Sequence, residues 1–232
     1  MVKDIIHAQK PDADIIVWSY NWGYQDKEKR LQLIRKLPKG ISLQVTFEMF
    51  ENIPKEDSYG RTVDYTLFFE GPGQYFISEA EEAKKQGIRL YAMTNTGGLT
   101  WDMGVIPYEP APYQWLKRHR AMKKAHDQWG LCGTMDSHHF GFYPSFIADF
   151  AKWMFEAADS DPDVVLSALA KRDFAEECVP DVLKAWQCFS EGIENLVCGA
   201  NETDAHMTGL NIARDVGNVE YVGGKCLSVA AV

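Results

Sequence analysis

Residues 13–22 read Ala13-Asp14-Ile15-Ile16-Val17-Trp18-Ser19-Tyr20-Asn21-Trp22. A short apolar, β-branched run opens straight into polar and aromatic residues. The run is too short for a helix and reads as a buried strand, and the cluster after it reads as the strand's C-terminal end. Upstream, Val2 to Gln9 has the pattern of an amphipathic helix, broken at Pro11-Asp12. Downstream, Lys27 to Leu37 reads as a surface helix with Leu31, Leu33, Ile34 and Leu37 as its apolar residues. Pro38-Lys39-Gly40 stops it, and Ile41 to Phe47 is the next strand.

The alternation then repeats. Residues 52 to 62 are polar and turn-rich, and Val63 to Phe69 carries the pattern of a further strand. Ser78 to Gln86 reads as a helix capped by Ser78, with Glu79, Glu81 and Glu82 near its start and Lys84 and Lys85 at its end. Ile88 to Met93 is a strand, Thr94 to Pro112 a long loop, and Tyr113 to Trp129 a basic helix that places His119 and His126 on the surface. Leu131 to Met135 is a strand, and helices dominate from Ser145 to about Val197. Strand and helix in turn argue for parallel strands with crossover helices. Since no glycine-rich phosphate loop opens a helix, the expected fold is α/β, a partial (β/α) TIM-type barrel of about four βα units with a C-terminal helical segment. The division is a half barrel over 1–150, a helical extension over 151–197 and a poorly defined tail over 198–232.

Composition narrows the function. The 232 residues carry a net charge of −9, which disfavours nucleic acid and anionic membrane surfaces as partners. No run reaches the ~20 apolar residues of a membrane helix. The five cysteines show no CxxC spacing, so neither a disulfide framework nor a zinc site is expected, and a reducing, cytoplasmic setting fits.

Strand C-termini converge on the active site of a (β/α) barrel. Here they supply Trp18, Tyr20 and Trp22, then Glu48, then Asn95 with Trp101 and Asp102, then Asp136 with His138 and His139. Carboxylates beside aromatic platforms suit glycosidic chemistry, in which one carboxyl protonates the leaving oxygen and another acts as base, nucleophile or stabiliser. Glu48, Asp102 and Asp136 are therefore the catalytic candidates, and Glu70 is a fourth in a Gly-Pro loop. Trp18, Tyr20, Trp22, Asn95, Trp101, His138 and His139 are the substrate-binding candidates. Each has a plainer reading, as a core aromatic, a solvated strand end or a turn cap. Adjacent histidines on a strand point to opposite sides, so no metal and no other cofactor is expected.

The strings ADIIVWSYNWGY, ISLQVTFEMFE, DYTLFFEGPGQYF, IRLYAMTNTGGLTWDMGVIPYEPAPYQWLKR and WGLCGTMDSHHFGFYPSFIADFAKWMF resemble bacterial glycoside hydrolase-like proteins related to family 20 β-N-acetylhexosaminidases, over Asp14 to about Ser190. The resemblance implies a sugar-binding barrel rim. It also implies that the family's Asp-Glu pair, which sits at the end of the fourth strand, lies upstream of Met1 if these strands are the fifth to eighth. The first helix would then be a crossover helix cut partway, and Trp18, Trp101 and Asp136 would remain as sugar-binding residues. Four strands cannot close such a barrel, so a homo-oligomer or an upstream half barrel is the expected partner. The alternatives are a catalytically silent carbohydrate-binding half barrel and an ester or lactone hydrolase on the same rim. No GxSxG elbow supports a serine nucleophile.

Overall fold

In the computed structural model the described residues are 2–20, 22, 25–54, 59–62, 66–94, 96, 108–136, 145–157 and 160–195. Helix α1 (Val2–Gln9) leads into strand β1 (Ile15–Trp18), α2 (Lys27–Arg35) and β2 (Ile41–Thr46). A small hairpin of β3 (Asn52–Pro54) and β4 (Tyr59–Arg61) follows, then α3 (Gln74–Gln86), β5 (Leu90–Met93), α4 (Pro112–Trp129) and β6 (Leu131–Met135). Helices α5 (Phe146–Glu156), α6 (Pro162–Phe174) and α7 (Val179–Glu194) close the described chain.

The main sheet is parallel throughout, in the order β1-β2-β5-β6. Each strand lies beside the one before it in the chain, with no reversal of direction across the sheet. A doubly wound sheet would reverse at a switch point. This is a mixed α/β fold built on a four-stranded parallel sheet, and β1 and β6 each keep an outer edge among the described residues.

Strand β2 shows why the sheet forms. Ile41-Ser42-Leu43-Gln44-Val45-Thr46 alternates strictly, so its apolar side chains share one face. Leu43 and Val45 join Leu90, Ala92 and Leu131 from the neighbouring strands in one cluster with Ile34, Phe76, Ala80, Ala83, Met122 and Ala125 of α2, α3 and α4. The opposite face of β2 carries Ser42, Gln44 and Thr46, all buried. At the strands' N-terminal ends the Asp14 carboxylate accepts hydrogen bonds from Ser42 Oγ (3.0 Å), Arg89 Nη2 (2.6 Å) and Tyr91 Oη (3.1 Å), tying three strands together. Between β5 and β6 the register slips by one residue, so Tyr91 pairs with Gly133. A Cβ on Gly133 would stand 2.5 Å from Tyr91 Cε1, so the tyrosine ring occupies the space a side chain would need.

A second apolar cluster joins Leu67, Trp115, Phe146, Ile147 and Phe150 to Leu166, Leu169, Trp186 and Ile193. The helices after residue 150 thus share a core with α4 and the 66–69 segment, and the boundary drawn at residue 150 falls within α5.

Three sequence expectations need correction. The strand over Val63 to Phe69 does not appear among its described residues, 66–69. The reason is Arg118, fully buried on α4, which donates to the carbonyls of Thr66, Phe69 (2.8 Å), Glu70 (3.2 Å) and Thr94 (3.0 Å). Carbonyls used in this way cannot build a ladder. Helix α3 begins four residues before Ser78, whose hydroxyl donates back to the Tyr75 carbonyl (3.0 Å) inside the helix rather than capping it. His119 is not a surface residue but is only 6% exposed.

Candidate functional site

The C-terminal ends of β5 and β6 meet α5 and α6 around a cavity of about 1030 Å³. At its base a row of hydroxyls leads to one carboxylate. Thr94 Oγ1 and Thr96 Oγ1 lie 3.2 Å apart, and Thr96 Oγ1 donates to Asp136 Oδ1 (2.7 Å). Thr134 Oγ1 donates to the same oxygen, also at 2.7 Å. Among the described residues no hydrogen bond falls on Oδ2. Asp136 is thus fastened through Oδ1, and the residue lines the cavity.

The wall is aromatic. Tyr108 stacks on Phe146 (centroids 4.6 Å apart, 27° between planes), and Phe146 stacks in turn on Trp186 (4.6 Å, 7°). Trp186 Nε1 donates to Tyr108 Oη (3.0 Å), and burial pushes the Tyr108 phenol up to about 12. The tyrosine thus stays neutral at physiological pH, with its ring locked in place by two neighbours. Opposite it, Arg172 donates to Asp149 (2.6 Å) and to Asp173 (2.6 and 3.0 Å). One guanidinium thus pairs with two carboxylates, and Asp136 is the carboxylate that lines the cavity from the strand ends.

Of the sequence-selected residues that are described, only Asp136 is in this cavity lining. Glu48 is fully buried at the end of β2 and is not among the lining residues, and Thr62 Oγ1 donates to its backbone carbonyl (3.2 Å). Trp18 and Tyr20 pair with each other (5.0 Å, 42°), and Tyr20 and Trp22 pack against the helix-side core. Glu70 offers its carbonyl to Arg118. Asn95, Trp101, Asp102, His138 and His139 lie outside the described residues. No group of three His, Cys, Asp or Glu side chains able to hold a metal ion occurs among the described residues.

A second polar centre escaped the sequence reading. Glu79 is fully buried on α3 and accepts from Ser19 Oγ (2.6 Å) and Arg30 Nε (3.1 Å). Tyr75 Oη donates to the Ser19 carbonyl (2.6 Å), and the Arg30 guanidinium lies 4.6 Å from the Tyr75 ring centroid. Burial drives the Glu79 carboxyl up to about 7, while Ser19 and Arg30 pull it back down. The network fastens the end of β1 to α2 and α3, so its role is to position the strand end. The signal was present in the sequence: Tyr75, Phe76, Glu79, Ala80 and Ala83 form one helical stripe, with a carboxylate set among apolar residues.

No protein-family model, curated protein or solved structure matches the chain. The class that the fold and cavity define is therefore a parallel α/β protein with a carboxylate-bearing, aromatic-walled cavity at the C-terminal ends of its strands. No helix among the described residues is long and apolar enough to cross a membrane.

Proposed function

We propose that this chain handles carbohydrate, with the sugar seated in the cavity at the ends of β5 and β6. The observation that carries the reading is Asp136, anchored through Oδ1 by Thr96 and Thr134 in a cavity also lined by the Tyr108–Phe146 stack. A carboxylate oxygen can accept two sugar hydroxyls, and an aromatic face can cover the apolar side of a pyranose.

More particularly, the reading is that of a glycoside hydrolase or a fragment of one, acting on amino- or neutral-sugar glycosides, with Asp136 as one carboxylate of the reaction. The resemblance to proteins related to family 20 supports it, as does the chain-order strand sequence, which matches an arc of a (β/α) barrel. The buried Ser42, Gln44 and Thr46 face would then line the barrel interior, and a second copy or an upstream half barrel would cover the outer edges of β1 and β6. Binding without turnover is the second reading. It is favoured by the pairing of Asp149 and Asp173, the lining carboxylates nearest Arg172, with that guanidinium, since glycosidic cleavage needs two carboxyls across one bond.

Calorimetry with a panel of mono- and disaccharides, together with hydrolysis of aryl glycosides, tests both. Saturable binding that Asp136→Asn weakens by about 1–3 kcal/mol is the expected result. Turnover lost in the same variant selects the hydrolase, whereas binding with no turnover selects the silent module. If no sugar binds, both readings fail. Light scattering tests the barrel arc: a monomer with fully solvated strand edges would contradict completion by a second copy.

A further inference from the structure

A second cavity, of about 710 Å³, lies on the other side of α5, between α4, β6 and the start of α6. Its chemistry differs from that of the first. Leu116, Met122, Leu131, Met154, Phe155 and Pro162 give it apolar walls, and Arg120, Lys123 and His126 bring positive or protonatable groups to it. Among the described residues no lining residue is acidic, in a chain whose net charge is −9. Arg120 and Lys123 are exposed and form no ion pair with a described residue. His126 Nδ1 donates to the Leu131 carbonyl (2.7 Å), which fixes that ring against β6.

The decisive group is His119. It lines this cavity, is only 6% exposed, and neither ring nitrogen has a hydrogen-bond partner among the described residues. Its neighbours are the edges and faces of Phe150 and Phe155, at 5.6 and 5.4 Å between centroids. A buried imidazole with two unmet nitrogens, placed against an empty volume, is a polar group awaiting a partner. Burial and then the adjacent Arg118 charge hold it down to about 3, so it is neutral and offers one N–H donor and one acceptor.

We propose that this cavity binds a small amphipathic organic anion, a carboxylate or phosphate head on an apolar body. The head meets the His119 N–H, with Arg120 and Lys123 supplying the field, and the body packs on Met122, Met154 and Phe155. The site is independent of the sugar reading. The two cavities share the Phe155 side chain but no polar residue.

The test is imidazole-tuned ¹H–¹⁵N NMR on the full chain, titrated separately with benzoate, phenyl phosphate, inorganic phosphate and benzylamine. Benzoate or phenyl phosphate should move the His119 ring resonances saturably, and the tighter of the two identifies the head group. Benzylamine should leave them in place. The double variant Arg120→Glu/Lys123→Glu, altered only at exposed positions, should weaken anion binding on the order of tenfold or more. His119→Phe should abolish the preference for anion over amine. The proposal is overturned if neither organic anion moves His119, if benzylamine binds equally well, if charge reversal leaves the affinity unchanged, or if inorganic phosphate alone binds as tightly as phenyl phosphate.

Discussion

Replacing Glu79 by Gln asks which force governs the buried network between β1, α2 and α3. Burial disfavours the carboxylate, while Ser19 and Arg30 favour it, and burial prevails, moving the group from 4.5 up to about 7. Between those values the folded protein holds a proton that the unfolded chain has already released. Glu79 therefore contributes stability that is fully present below 4.5 and is lost as the pH rises through 7. At ~1.4 kcal/mol per pH unit the gap is worth about 3 kcal/mol. Glutamine keeps the shape and cannot titrate. Urea unfolding of both proteins from pH ~4 to pH ~8 should show the wild-type advantage over Glu79→Gln shrinking by about 3 kcal/mol across that range. Subtraction removes the contribution of every group common to both proteins. If the difference stays flat or grows with pH, the Arg30 ion pair outweighs burial and the reasoning is wrong.

Three further outcomes follow from packed groups. Arg118→Met strips donors from four carbonyls around residues 66–70 and 94, and should cost about 4 kcal/mol or more in chemical denaturation; a cost below ~1 kcal/mol would mean that those carbonyls find other partners. His119 titrates in the opposite sense to Glu79: held down from 6.5 to about 3, it contributes stability present above 6.5 and lost as the pH falls toward 3. Wild type should therefore lose up to about 5 kcal/mol over that interval relative to His119→Phe, read as the pH dependence of Tm, and parallel acid profiles would refute it. Gly133→Ala should destabilise by about 1–3 kcal/mol, because Tyr91 must leave both its place and its bond to Asp14; pairing it with Tyr91→Ala should recover most of the strain.

The strands were legible because burial on a sheet leaves a local mark. Ile15-Ile16-Val17-Trp18 is a continuous apolar run, and Ile41 to Thr46 alternates with period two. The β3–β4 hairpin left no such mark, since its strands, Asn-Ile-Pro and Tyr-Gly-Arg, are too short to show a period. The strand expected over 63–69 is absent from its described residues, 66–69, through contacts that lie 48 or more residues away, at Arg118. The same basic run misled on His119. Arg118 and Arg120 suggested a solvated face, yet a helix turns 100° per residue, so Arg118 and His119 point inward and Arg120 outward.

The sites were less legible than the fold for a related reason. A strand is specified by neighbours along the chain, whereas a cavity is specified by side chains that meet from distant elements. Asp136 could be read as a turn cap or as a site residue, and the sequence offered no means of choosing. What the structure adds is that Asp136 accepts from the hydroxyls of Thr96 and Thr134, on two different strand ends. Neither strand alone predicts that convergence, because it depends on the one-residue slip between β5 and β6, which carries Thr134 to the level of Ala92. The slip that sets Gly133 beneath Tyr91 is thus also what brings the Thr96 hydroxyl to the Asp136 carboxylate. Shifting that register should therefore part Thr96 from Asp136 and, on the proposed sugar-binding reading, weaken sugar binding.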